Sequence, residues 1–279
     1  MPTETTSNSA TVLDVANLSI TSAEGTELVK GVSFTLAQGQ TLGIVGESGS
    51  GKSLTCRAVL GILPDGLSIR EGSIRFDGHE LTTLSAKSWR PLRGSRISAV
   101  FQDPASYLNP SLTVGTQLSE ALRATSKLSR KDARTRGTEL LRHLGLHEAE
   151  AVYRQYPYEL SGGMLQRVLI AIAVSANPEL LIADEATTAL DVTVQAEVLD
   201  LLKDLQHELG LALVLVSHDL AVVGQACDHL IVMREGRVVE AGPTAQVLNR
   251  PSHPYTRLLV ENHHRFGIER FLSKEKSIA

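Results

Sequence analysis

The sequence has no excess of positive charge, no long apolar run and almost no cysteine. Lys and Arg number 27 against 31 Asp and Glu, a formal net charge of −4, and the isoelectric point lies near 6.1. No Lys/Arg stripe overrides that average, so the electrostatic footprint of a nucleic-acid binder is missing and no nucleic acid is expected as a partner. The longest apolar runs, such as Val168 to Val174 and Leu211 to Val216, fall far short of the ~20 residues needed to cross a bilayer. No transmembrane element is expected. The first residues, MPTETTSNSAT, carry neither a basic start nor an apolar stretch. They predict a solvated tail over residues 1–12 and a chain that stays in the cytosol. Cys56 and Cys227 stand far apart and in no metal-ligand spacing, so both are expected to be reduced structural thiols.

What is present begins with a core. At 279 residues and 42% hydrophobic content, the chain can form one large domain with an appendage, or two small ones. An apolar run, Leu42 to Val45, leads into Gly46–Glu47–Ser48–Gly49–Ser50–Gly51–Lys52–Ser53, and Leu54 to Leu60 follows with a helical pattern. Strand, loop and helix in that order are the context a phosphate-binding loop requires. The glycines let backbone N–H groups approach phosphate oxygens at a helix N-terminus, whose dipole favours negative charge. Lys52 can reach the β- and γ-phosphates, and the Ser53 hydroxyl suits Mg²⁺, a hard cation that prefers oxygen. An ordinary Gly-rich turn would need neither residue in register.

The remaining elements arrange themselves around that loop. Leu13 to Ile20 and Val32 to Leu36 alternate about the polar turn SAEGTE and predict a hairpin. Gly72 to Asp77 and Arg96 to Gln102 are strand-like, and Leu118 to about Glu150 has helical spacing that suggests a separate helical layer, ended by Pro157. Leu160 to Arg167 opens a helix that continues through Val174. Leu180 to Asp184 and Leu211 to Ser217 are apolar throughout, as buried parallel strands are, and Val192 to Leu209 is the amphipathic crossover between them.

Chemistry gathers at the ends of those strands. Asp184 closes one of them, where it can fix a metal's shell, and Glu185 beside it can polarise an attacking water. His218 closes the next and can reach a γ-phosphate. Gln102 ends a third, where its amide can reach the metal's water or the nucleophile. A second anion-binding helix start, Ser161–Gly162–Gly163–Met164–Leu165–Gln166, has no γ-phosphate of its own to hold. The economical arrangement is a dimer in which this helix caps the nucleotide of the other subunit.

The phosphate loop, Gln102, LSGGMLQR, LLIADE, Ala189 to Asp191 and His218, in that order, resemble the full motif set of an ATP-binding cassette ATPase over about Leu13 to Leu259. Within that family GIVGESGSGKSLTCRAVLGILP, FQDPASYLNPSLTVG, SGGMLQRVLIAIAV and NRPSHPYTRLL are similar to the ATPase subunits of peptide and nickel importers. The Thr55–Cys56 pair and Met164–Leu165–Gln166 look more like the nickel or metal-chelate branch, with dipeptide or oligopeptide import as the alternative. The resemblance implies an α/β fold: a P-loop, RecA-like core with an antiparallel β subdomain over 13–104 and 160–250, a helical subdomain over 105–159, and a C-terminal extension over 251–279. It implies an ATPase that uses ATP and Mg²⁺, with Ser53, Gln102 and Asp184 at the metal. Glu185 would be the general base, His218 the γ-phosphate sensor, and Gln102 the link to membrane subunits. Ser161, Gly162, Gly163, Gln166 and Asp191 would help bind the nucleotide across the dimer. Partners would be a second, different cassette subunit, two transmembrane permease subunits and an external binding protein, at the cytoplasmic face of the plasma membrane.

Three departures from the family pattern bear on these expectations. Ser22 stands where the family often has an aromatic under the adenine, which predicts weaker base stacking. Ala186 replaces the usual proline after Glu185. The tail lacks the cysteines that hold an iron–sulfur cluster in many peptide-importer relatives, so no cluster is expected. His253, His263 and His264 are expected to be exposed tail histidines rather than a metal sensor. A soluble cassette ATPase acting on ribosomes or DNA is the rival reading. The single cassette, the absence of a long coiled-coil insertion and the acidic charge argue against it.

Overall fold

The computed structural model describes residues 10–187 and 191–263. Two long strands, β1 (Thr11–Ser22) and β2 (Glu27–Ala37), form the expected hairpin. Next come β3 (Thr41–Val45), the glycine loop and α1 (Lys52–Val59). β4 (Leu67–Phe76) and β5 (His79–Glu80) complete an antiparallel sheet in the order β2-β1-β4-β5. β4 starts earlier than its apolar pattern suggests, because Leu67 pairs with Ser22 at the far end of β1. The short α2 (Ala86–Trp89) leads into β6 (Ile97–Phe101) and α3 (Pro104–Tyr107).

Three helices follow: α4 (Val114–Thr125), α5 (Arg130–His143) and α6 (Ala149–Arg154). Each of the first two begins on a hydroxyl cap, Thr113 or Ser129, whose oxygen accepts a backbone N–H of the first turn. Tyr153 of α6 packs where Gly115 leaves room; a Cβ at Gly115 would sit 2.1 Å from the Tyr153 ring. The layer packs on the helix that follows it. Leu118, Leu122, Leu141 and Leu144 belong to the same apolar cluster as Leu160 and Val168 of the next helix and its approach. Pro157 sits in a short 3₁₀ turn after α6 has already ended.

The second half runs through α7 (Gly162–Val174), β7 (Leu180–Asp184), α8 (Val192–Leu209), β8 (Ala212–Ser217), α9 (Leu220–Ala226), β9 (His229–Arg234), β10 (Arg237–Pro243) and α10 (Thr244–Asn249). A final helical stretch covers 254–263. The β9–β10 hairpin was not anticipated from the sequence. The second sheet has the order β10-β9-β3-β8-β7-β6, parallel except at β10.

Every residue of β3, β7 and β8 is buried, because the sheet is covered on both faces. Successive residues alternate between two apolar clusters. Leu181, Ala183, Leu213 and Leu215 face α7 and α8, whereas Leu180, Ile182, Val214 and Val216 face α1 and the antiparallel sheet. That double cover explains the unbroken apolar runs.

Candidate active site

Parallel register brings the chemistry together. Phe101 lies opposite Asp184, Asp184 opposite Val216, and Val45 opposite Ser217. The residues immediately beyond, Gln102, Glu185, His218 and Gly46, therefore share the carboxyl edge of the sheet, where open α/β folds bind ligands.

Gly46 lies at φ 153°, and a Cβ there would approach the Met233 carbonyl oxygen to 2.1 Å. Only glycine fits that approach. Lys52, 4% exposed, turns its ammonium into the loop and donates to the Gly46 carbonyl at 2.7 Å and the Glu47 carbonyl at 2.9 Å. Burial lowers its pKa, while the nearby carboxylates of Glu185 and Asp184 work against that shift. Ser53 Oγ donates to Asp184 Oδ1 at 2.9 Å. Burial raises the Asp184 carboxyl despite that hydrogen bond, and the like charge of Glu185 raises it further.

Glu185 has a left-handed backbone, φ 52°, a conformation that costs a non-glycine residue on the order of 1–3 kcal/mol and that concentrates at functional sites. Its N–H donates to the Val216 carbonyl at 3.0 Å, and its Oε2 lies 3.9 Å from His218 Nδ1. Ala186 behind it is buried. Ser48, Ser53, Gln102, Asp184 and Glu185 line a single cleft of about 410 Å³. Its oxygen-rich donors suit Mg²⁺, and a divalent cation there would relieve the repulsion that raises Asp184.

Other expected ligands lie apart from this cleft. Ser161 caps α7 by accepting the Met164 N–H at 3.4 Å, and Gly163 sits against Val194, where a Cβ would be 2.8 Å away. Gln166 is buried, 1% exposed, with its side-chain nitrogen in no hydrogen bond among the described residues. Asp191 caps α8 through the N–H groups of Thr193 and Val194. None of Ser161, Gly162, Gly163, Gln166 or Asp191 lines the cleft. Ala189 and His264 lie outside the described residues. His253 accepts the Tyr255 N–H and His263 approaches Asp219 at 3.6 Å. Among the described residues no group of three or more His, Cys, Asp or Glu gathers as a metal site.

The cleft also contains residues that sequence reasoning passed over. Arg57 lies four residues after Ser53, on the same face of α1, so helical spacing could have found it. Asp103 and Ser106 join the lining, and Tyr107 stacks on Phe101 at 4.6 Å. Nothing in the sequence pattern signalled these.

Fold and site together define a phosphate-loop nucleotide-binding protein. The ABC transporter family model matches residues 29–188. The chain is 45% identical over 255 residues to the oligopeptide transport ATP-binding protein AppD of Bacillus subtilis, covering 90% of this chain and 78% of that one. It is 46% identical over 253 residues to the dipeptide transport ATP-binding protein DppD of the same organism, covering 89% and 76%. Among solved structures, cbiO1 from Clostridium perfringens, part of the cbiONQ transporter complex, superposes with a TM-score of 0.75 at 31% identity, over 86% of this chain and 91% of that one. The dimeric ATP-binding cassette MJ0796 with ADP and Pi gives 0.74 at 28% identity, over 83% and 98%. The chain belongs to the ABC transporter family and is an ATPase of the ATP-binding cassette type. Among the described residues no helix is long and apolar enough to cross a membrane.

Proposed function

We propose that this chain is the ATP-hydrolysing subunit of an importer for dipeptides or oligopeptides, working at the cytoplasmic face of the plasma membrane with separate permease subunits and an external binding protein. The observation that carries the reading is the shared edge itself: phosphate loop, Asp184, Glu185, His218 and Gln102 stand on adjacent strand ends. Lys52 and the loop N–H groups bind the polyphosphate, and His218 orients its terminal group. Glu185 accepts the proton of the attacking water. Mg²⁺, when bound, would be held by Ser53 and Asp184 with Gln102 beside them and would neutralise part of the phosphate charge.

Ser161, Gly162 and Gly163 lie outside the cleft, which supports their use on the nucleotide of a second cassette, and a dimeric structure is known for the similar cassette MJ0796. Gln166, on α7, and Asp191, at the cap of α8, belong to the same nucleotide-binding set. The helical segment 105–159 docks on the permeases. In support, Tyr156 and Tyr158 at its C-terminal end stack at 5.5 Å, and Tyr158 is 71% exposed.

The finer cargo assignment shifts from nickel or metal chelate to peptide. The two Bacillus subtilis relatives named above, AppD and DppD, are peptide-transport proteins. Of the residues that suggested nickel, Thr55 (0% exposed), Cys56 (2%) and Gln166 (1%) face inward, and Met164 and Leu165 are partly buried against the same core. Side chains packed in the ATPase core cannot touch cargo. Disruption of the gene in an amino-acid auxotroph should abolish growth on a dipeptide source and spare growth on the free amino acid. Growth on the dipeptide with loss of nickel-dependent growth would overturn the peptide assignment.

A further inference from the structure

The C-terminal segment reaches back to the phosphate loop, a contact that the ATPase assignment does not explain. The Glu47 N–H donates to the Tyr255 hydroxyl oxygen at 3.1 Å. The Gly46 carbonyl, the other end of that same peptide unit, accepts from Lys52 Nζ at 2.7 Å. One planar peptide is therefore held at both ends, by a residue from the end of the chain and by the lysine expected to meet phosphate. Its geometry leaves little room for adjustment, since Gly46 already abuts the Met233 carbonyl.

Tyr255 is itself firmly placed. It is 3% exposed, and the Arg234 guanidinium, next in sequence to Met233, lies 4.8 Å over its ring. The approach to Tyr255 is tied to β10. Glu240 accepts the Ser252 N–H at 2.7 Å, the Ser252 hydroxyl at 2.9 Å and the His253 N–H at 3.1 Å. The Tyr255 N–H then donates to His253 Nδ1 at 3.2 Å. Tyr255 lies in the helical stretch 254–263, and His263, the last described residue, has its Nδ1 3.6 Å from Asp219, the residue after His218. The 251–263 segment thus touches both sides of the nucleotide edge.

We propose that Tyr255 is a positioning residue of the nucleotide site: its hydroxyl fixes the Gly46–Glu47 peptide and, through it, the pose in which Lys52 meets phosphate. The inference rests on the reading of Gly46–Ser53 as the phosphate-binding loop. The test uses the full chain and Tyr255→Phe, which removes the hydroxyl and keeps the ring. Hydrogen exchange at the Glu47 amide should quicken. The Kd for a fluorescent ATP analogue with Mg²⁺ should rise about two- to tenfold, the range expected for one hydrogen bond. Hydrolysis at saturating ATP should stay within about twofold, because no group at the reacting phosphate is lost.

Glu240→Gln, which loosens the anchor instead of the hydroxyl, should raise Kd in the same direction and keeps the test alive if Tyr255→Phe fails to fold. Leu248→Ala, on the neighbouring helix, serves as a stability control and should lower the melting temperature with Kd unchanged. A Tyr255→Phe chain that behaves like Leu248→Ala, less stable but with wild-type Kd and wild-type Glu47 exchange, would overturn the proposal. Lys52→Ala separates the two ideas. Wild-type nucleotide binding in that variant would remove the phosphate-loop reading, whereas lost binding there with unchanged Kd in Tyr255→Phe would remove only the role of Tyr255.

Discussion

Replacing Glu185 by Gln should uncouple nucleotide binding from hydrolysis. The two side chains have nearly the same volume, and the left-handed backbone at φ 52° is held by the Glu185 N–H on the Val216 carbonyl, which the substitution leaves in place. Loss of a general base costs about 10²- to 10⁴-fold in rate, or about 3–5 kcal/mol of barrier. Binding should not suffer. Burial raises the Asp184 carboxyl and the Glu185 charge adds to it, so neutralising Glu185 favours the ionised Asp184 that a Mg²⁺–nucleotide complex needs. The like-charge repulsion of the triphosphate also falls. Phosphate release by the assembled complex at saturating Mg²⁺–ATP measures the first effect, and titration of the chain with a fluorescent ATP analogue measures the second. A turnover within about threefold of wild type would remove Glu185 from the role of base. A large loss of affinity would show instead that the substitution disrupts the strand end.

Three further outcomes follow from the same geometry. Asp184→Asn should raise the melting temperature of the nucleotide-free chain, because burial and Glu185 make the carboxylate unfavourable there, and it should abolish Mg²⁺-dependent hydrolysis; scanning calorimetry and phosphate release check the pair. Ser22→Phe should tighten ATP about two- to tenfold, the increment of one aromatic stack. The Ser22 hydroxyl closes its own turn by accepting the Thr26 N–H at 3.2 Å, and a nucleotide titration compares the two chains. Glu240 supplies a pH-dependent term. Burial pushes its carboxyl up, but hydrogen bonds from the 252–256 segment outweigh that and hold it down at about 2, against an ordinary value of 4.5. The folded state is thus favoured above the unfolded pKa, and that advantage is lost as pH falls from about 4.5 toward 2. Discounted for solvent screening, it amounts to about 1 kcal/mol. Denaturant unfolding of wild type and Glu240→Gln should differ by that amount near neutrality and converge in acid.

Most of the site was legible because its chemistry depends on local order. Gly46 to Ser53 are one continuous motif of loop and first helical residues, and Asp184, Glu185 and His218 announce themselves at the ends of apolar runs that a doubly covered parallel strand explains. Contacts between distant segments left less trace. Nothing in HPYTR says that Tyr255 meets the Glu47 amide, 208 residues away in sequence, and Asp103 and Tyr107 reach the cleft only because α3 turns back after β6. The length of β4 was hidden for the same reason, since its first residues are strand only through pairing with β1. The nickel reading finds no support for a different reason. It rested on Thr55, Cys56, Met164, Leu165 and Gln166, of which Thr55, Cys56 and Gln166 fill the core and Met164 and Leu165 pack partly against it, so the likeness says little about cargo.

The most direct measurement of the account follows ATP consumption and labelled dipeptide entry together, in vesicles containing this chain with its permease partners, supplied with the external binding protein. The account predicts that dipeptide enters only while ATP is hydrolysed and that the Glu185→Gln chain stops both. Dipeptide entry without hydrolysis, or hydrolysis coupled to nickel entry with no dipeptide uptake, would contradict it.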